Sequence, residues 1–217
     1  MADTPGRGHD DGYTLFELIV AMGIFSVFLS ILVASVVSIT HASTSVQAVS
    51  GSTNGALIAF QALDREIRYA DAINFPGTGT DGGRYVEFRT PAEDTVGRQT
   101  ICTQWIYDPV AQLIKQRSWV DASGAKIPAW HTELSNVVNQ GTGTYPFQML
   151  PASVGGSPVQ QLVITLQAGA PPLKASTTVV TNFAARNSSI SSPSNTDVLM
   201  PNVSDSPVCL SSGTRTP

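Results

Sequence analysis

Between Glu17 and Asp64 the chain carries no Asp, Glu, Lys or Arg. Within that span, residues 18–39 read LIVAMGIFSVFLSILVASVVSI. As a helix these residues would be about 33 Å long, enough to cross a hydrocarbon layer of roughly 30 Å. No proline occurs from Gly12 to Phe75, so a helix over 13–73 is allowed to run well past such a layer. A chain with this segment is neither a multi-span membrane protein nor a simple soluble globule, because its apolar content is concentrated in one place.

The second half of the predicted helix changes character. Leu57, Phe60, Leu63, Ile67 and Ala70 form an apolar stripe, and Asp64, Arg65, Glu66 and Arg68 supply a mostly polar opposite side. A stripe of this kind needs a cover, which the remainder of the chain would provide as a sheet. Gly51-Ser-Thr-Asn-Gly55 lies between the halves. Each glycine weakens a helix by about 1 kcal/mol relative to alanine, so this segment is expected to be a weak point, a bend or melted turn. A loop between two separate helices is the alternative.

After Phe75-Pro76-Gly77 the texture turns β-like. Arg84–Arg89 alternates, Thr100–Tyr107 and Gln112–Trp119 flank a turn at Asp108–Ala111, and 146–150, 159–167 and 177–183 are further strand candidates. From Asn187 onward the chain is rich in Ser, Pro and Asn and reads as irregular. The expected fold class is α+β, with the long helix packed on an antiparallel sheet of roughly four to six strands.

Charge excludes some functions. Charged residues are 13% of the chain and the net charge is −4, so nucleic-acid binding driven by bulk positive charge is not expected. Catalytic signatures are lacking: His9, His41 and His131 are scattered, and no G-x-S-x-G, P-loop or H-E-x-x-H is present. His131-Thr-Glu133 has no partner at metal-site spacing and reads as a surface loop. Asp81-Gly-Gly and Glu93-Asp94 are acidic loops within the reach of calcium chemistry, though turn chemistry accounts for them. Trp105, Trp119 and Trp130 fit either a ligand surface or a strand core, the core being commoner. The chain is therefore not expected to be an enzyme, and no cofactor or metal site is expected.

The start of the apolar run reads Asp11-Gly12-Tyr13-Thr14-Leu15-Phe16-Glu17-Leu18-Ile19-Val20-Ala21-Met22. A short hydrophilic leader, a glycine, an aromatic residue, Thr-Leu, one variable residue and a glutamate precede the long apolar helix. In this the sequence resembles the type IV pilin and type II secretion pseudopilin family. The resemblance implies that a membrane prepilin peptidase cuts after Gly12 and that Tyr13 becomes the mature, methylated N-terminus. It makes Glu17 the family's characteristic acid, used in assembly. Tyr13 stands where the family more often has Phe, and the leader sets Asp3, Asp10 and Asp11 against Arg7 where the family is usually basic. Small residues at Ala21, Gly23, Ser26, Ser30, Ala34, Ser35 and Ser38 would let neighbouring helices approach closely.

The layout implied is a leader over 1–12, a long N-terminal helix over 13–73 with a transmembrane segment at 18–39, and an extracytoplasmic β-rich head over 74–217 with an irregular tail. The function implied is that of a structural filament subunit. LDREIRYA and the hairpin-like segment resemble minor pilins and J-type minor pseudopilins more than small major pilins. The partners implied are other pilin subunits, the prepilin peptidase, an inner-membrane assembly platform and membrane lipid. The location implied is the cytoplasmic membrane, spanned once with the head outside, and then a cell-surface or periplasmic filament. Under that topology Cys102 and Cys209 meet an oxidising compartment that favours a disulfide, of the kind with which pilins often staple a C-terminal region. Two unpaired thiols are the alternative. Two rival functions remain: a single-pass anchored adhesin, and a secreted domain released by signal peptidase after Ala42. The apolar run is longer than a usual signal's, and the leader lacks a positive excess.

Overall fold

The computed structural model describes residues 14–79, 82–139, 146–170, 175–195 and 208–210. Among the described residues, one long helix, α1 (Leu15–Arg68), is followed by nine strands. The chain divides into two compact units, Met1–Thr44 and Ser45–Pro217.

In the first unit the side chains of α1 are exposed, from Leu15 and Phe16 through Phe28 to Ile39, and a window of mean hydropathy 2.6 lies in the helix. Its few hydroxyls turn inward along the backbone. Ser26, Ser30, Ser35 and Thr40 each donate to the carbonyl four residues earlier, at 2.7, 2.7, 2.8 and 2.9 Å. These hydroxyls are thus satisfied within the helix, and the stretch presents an apolar surface, as a lipid-facing or helix-packed span requires.

In the second unit α1 continues and buries Ala56, Ala59, Phe60, Leu63 and Ile67. The stripe is the expected one except at its start, where Ala56 takes the inward place and Leu57 stays 55% exposed. Alanines at 56 and 59 let the helix lie close to the strands. Gly51 and Gly55 do not interrupt the helix. A Cβ on Gly55 would stand 2.9 Å from the Leu134 methyl Cδ1, so this glycine serves close packing, and the contact compensates its weak helix propensity. The helix stops at Arg68, short of Ile73. Arg186 N–H donates to the Arg68 carbonyl at 3.0 Å and the Asn187 side chain to the Tyr69 carbonyl at 3.0 Å, so a later segment satisfies the helix end. Residues 72–73 are drawn into the sheet.

Among the described residues, two antiparallel sheets form in place of one. The larger has the order β1 (Ala72–Ile73), β3 (Arg84–Thr90), β4 (Ile101–Asp108), β5 (Leu113–Val120), β6 (His131–Ser135), with β2 (Gly77–Thr78) beside β1 on the β3 edge. The smaller has the order β7 (Phe147–Leu150), β8 (Gln161–Ala170), β9 (Ala175–Ala184). Residues 136–139 join them: Val138 N–H donates to the Gln167 carbonyl at 2.7 Å and Gly169 N–H to the Asn136 carbonyl at 3.0 Å. In the β4–β5 turn the Asp108 carboxylate accepts from the N–H groups of Val110 and Ala111 at 3.0 and 2.8 Å.

Strand alternation assigns the two faces of the larger sheet. Val86, Phe88, Trp105, Tyr107 and Ile114 join the α1 residues in one core, completed by Phe147, Leu162, Ile164 and Phe183 of the smaller sheet. Phe60 and Phe183 meet edge to face at 6.0 Å. Residues of the other parity, Glu87, Cys102, Gln104, Arg117 and Trp119, point to the opposite face. The architecture is α+β and pilin-like, a long N-terminal helix packed on antiparallel sheets.

Candidate functional site

Gly12 and Tyr13 lie outside the described residues. The site begins at Thr14, which caps α1. The Thr14 hydroxyl accepts from the Glu17 N–H at 3.2 Å, and the Glu17 carboxylate accepts from the Thr14 N–H at 3.0 Å and its hydroxyl at 3.2 Å. This is a reciprocal capping box. Thr14-x-x-Glu17 carries that signature in the sequence. In the single chain Glu17 therefore has a local partner and holds the first turn of the span in register. Ala42 lies inside α1 on an exposed stretch.

On the face of the larger sheet away from α1, a clip holds the short segment 208–210. Cys102 of β4 and Cys209 are joined in a disulfide with Cα atoms 6.0 Å apart. Val208 and Cys209 are buried with Ala72 and Trp119. Glu87 of β3, fully buried, accepts from the N–H groups of Val208 and Cys209 at 3.1 and 3.2 Å through Oε1. Its Oε2 accepts from the Gln104 amide at 2.7 Å, and Gln104 Oε1 in turn accepts from Arg117 Nε at 2.8 Å. Arg117 stacks its guanidinium over Trp130 at 4.0 Å and Trp119 at 5.7 Å. Burial pulls the Arg117 pKa down, opposed by the nearby Glu87 charge. Arg89 pairs with Asp71 at 2.8 Å and reaches the Val208 carbonyl at 3.4 Å, while Leu210 N–H donates to Asp121 at 2.7 Å. Hydrogen bonding to Asp71 raises the Arg89 pKa. Cys102, Cys209 and Glu87 offer ligand atoms within 4.8 Å of one another, but with the sulfurs bonded to each other neither is a thiolate ligand.

The other sequence candidates stay apart. His41 is exposed on α1, and His9 and Asp81 lie outside the described residues. His131 is on strand β6 rather than in a loop, its side chain 77% exposed, 3.8 Å from Glu133. Glu93 and Asp94 sit in a short 3-10 helix, Ala92–Asp94, where Asp94 accepts from Asn187 at 2.7 Å. Trp105 and Trp119 are core residues. Trp130 is half-buried against Arg117, and its Nε1 has no partner among the described residues.

Sequence reasoning missed Glu87 and Glu66. Glu87 sits in an alternating strand as an ordinary outward acid. Glu66, assigned to the polar side of α1, instead accepts from Trp105 Nε1 at 3.1 Å and from the Gln116 amide at 3.2 Å. No signal within the helix marks it, because its partners are 39 and 50 residues away.

A family model described as the prokaryotic N-terminal methylation motif matches residues 7–33. No curated protein and no solved structure matches the chain. The matched segment takes in residues 7–12, the capped Glu17 and residues 18–33 of the apolar run. On a pilin-like α+β fold, the chain thus carries the N-terminal methylation motif that marks type IV pilins and pseudopilins.

Proposed function

We propose that the chain is a minor subunit of a type IV pilus or a type II secretion-like pseudopilus. The methylation motif over 7–33 carries this reading, together with the uncharged, exposed helix that follows it. Prepilin peptidase cuts between Gly12 and Tyr13 on the cytoplasmic side and methylates the new amine. The subunit waits in the membrane, spanned once by residues like 18–39, with the head outside. An assembly platform then draws it into a filament whose core is built from these helices.

Glu17 has a double use in this reading. In the bilayer it stays at the interface, because a charge at the centre of a span costs about 2.5 to 3.5 kcal/mol on insertion scales. In the filament core a cation has to face it, and the α-amine of a neighbouring Tyr13 supplies one. At about 4 Å and an effective dielectric of about 20 the attraction is on the order of 4 kcal/mol before desolvation. The Thr14 cap pre-orients the carboxylate, so little side-chain entropy is lost when the amine arrives. Such a pair also fixes the stagger between helices.

The test is Glu17→Val in the native host. The variant is expected to be processed normally and to enter filaments poorly. Normal incorporation overturns the charge pair.

A further inference from the structure

The last strand of the smaller sheet, β9, is an edge. Over its ten residues it pairs with β8 in unbroken antiparallel register, from Gln161↔Ala184 to Ala170↔Ala175. Bonds at the strand ends fix which backbone groups face β8. Ala185 N–H donates to the Gln160 carbonyl at 3.0 Å, so the odd-numbered residues of β9 bond to β8. On the other side of β8, Thr165 N–H donates to the Pro146 carbonyl at 2.8 Å, as the alternation requires. Ser176, Thr178, Val180, Asn182 and Ala184 therefore turn their N–H and C=O groups away from β8. Among the described residues no group donates to or accepts from that outward row. Arg186, next in the series, does have a partner, the Arg68 carbonyl at 3.0 Å. The open stretch thus ends where α1 ends.

An open edge invites another strand, and native edges are blunted by a charge, a proline or a bulge. β9 has none of these. Between Lys174 and Arg186 there is no charge and no proline, and the register runs without a bulge. Its outward residues are uncharged, with Val180 63% exposed at the centre. Asn182 and Ser176 bond sideways to Gln161 and Gln167 of β8 at 2.8 and 3.1 Å, which leaves the edge clear. The β1 edge of the larger sheet is different, because the chain closes it with its own side chains. Ser192 donates to the Asp71 carbonyl at 2.6 Å, Ser194 donates to the Ile73 carbonyl, and Gln160 Oε1 accepts from Ile73 N–H at 2.8 Å.

We propose that β9 is a docking edge for an extended, uncharged strand from the head of a different subunit in the same filament, added through backbone hydrogen bonds. This rests on the filament-subunit reading above. The occupant follows from the edge. Unmet N–H and C=O groups at every second residue match another extended backbone, and an uncharged edge offers a charged strand no counter-charge. A second β9 does not fit. Phe60 packs on Phe183, and the Arg68 carbonyl accepts from Arg186 N–H, so α1 and β9 advance in the same direction. A two-fold pair of β9 strands would set two such helices head to tail, whereas subunits drawn from one membrane face the same way. The β1 edge of an identical neighbour is closed, which leaves a non-identical subunit as the donor.

Proline separates pairing from folding. At Val180 it removes an outward N–H, a place where edge strands accept proline, and at Thr181 it removes a bond to β8. Val180→Pro, expressed in the native host, should keep a thermal midpoint close to that of the wild type in detergent micelles. Its recovery in sheared filaments should fall at least about tenfold, one or two backbone bonds' worth. Thr181→Pro should lower the midpoint. Wild-type incorporation of a folded Val180→Pro chain overturns the docking edge. A second measurement spares the backbone: a photo-crosslinking phenylalanine derivative at the exposed position of Val180. In filaments it should join the chain to a strand of another subunit that carries the N-terminal methylation motif. Crosslinks to a second copy of this chain, to lipid or to nothing overturn the proposal as well. The N-terminal mass is read on the same material. A chain cut after Gly12 that enters filaments but fails both tests loses the docking edge alone, and an uncut chain loses the filament reading with it.

Discussion

Replacing Glu87 by glutamine isolates the work of one buried charge. The substitution keeps shape and volume but changes the donor count. In the wild type an acceptor-only carboxylate ends a one-way chain, from Arg117 Nε to Gln104, and from the Gln104 amide to Glu87. The same carboxylate collects the N–H groups of Val208 and Cys209. In Glu87→Gln the new side chain brings an NH2 group that has to face either the two backbone donors or the Gln104 amide. Turning Gln104 over to relieve the second clash sets its NH2 against Arg117. Each arrangement leaves one donor facing another. Losing charge assistance on three bonds weakens each by about 1 kcal/mol, and the misdirected donor costs about 1–3 kcal/mol. The lower desolvation of a neutral amide returns part of this. The net loss should be about 2–4 kcal/mol, measured by urea unfolding of the oxidised chain in detergent micelles and followed by tryptophan fluorescence. In the reduced chain the same variant should also release 208–210 to proteolysis, because both tethers are then weakened. A change below about 0.5 kcal/mol, the level of an ordinary surface substitution, would refute the one-way chain.

The remaining predictions concern the clip and the helix. Cys209→Ser removes a cross-link spanning 107 residues and should lower stability by about 4–5 kcal/mol in the chain-entropy description, checked by the urea midpoint with and without reductant. Phe60→Ala should cost about 3–5 kcal/mol, because Phe60 is 8% exposed and packs on Phe183. Leu57→Ala, at an exposed position, should stay within about 0.5 kcal/mol. Gly51→Ala meets nothing within 4 Å and should stabilise by up to about 1 kcal/mol. Gly55→Val should destabilise, since even a methyl there crowds Leu134 at 2.9 Å; thermal unfolding of the two variants should shift in opposite directions.

Local signals and long-range ones divided along physical lines. The 22-residue apolar run at 18–39 with no proline up to Phe75 favours a helix by its length, and the 3-3-4-3 spacing that follows calls for a covered face. Both depend on neighbours a few residues apart. The strands β3, β4, β5, β7, β8 and β9 were legible for the same reason, each a β-rich run bounded by turn residues. β1 and β2 have two residues each and exist only because β3 offers them an edge. β6 reads His-Thr-Glu-Leu-Ser, with one buried residue, Leu134, too few for a period to register. Glycine punctuation misled at Gly55, where a distant leucine, not the backbone, accounts for the residue. The roles of Glu87 and Glu66 were illegible because a carboxylate's partner, water or protein, is decided by which strand arrives beside it. The joining of the two sheets depends on residues 136–139 bonding to β8, a long-range choice that no local pattern encodes.

A processed filament subunit leaves its mark at its own N-terminus. Intact mass and N-terminal peptide analysis of the protein purified from its native host read that mark directly. The mature chain should begin at Tyr13 and be heavier by one methyl group at the α-amine. A mature chain that still carries Met1 to Gly12, or one that begins at Ser43, contradicts it.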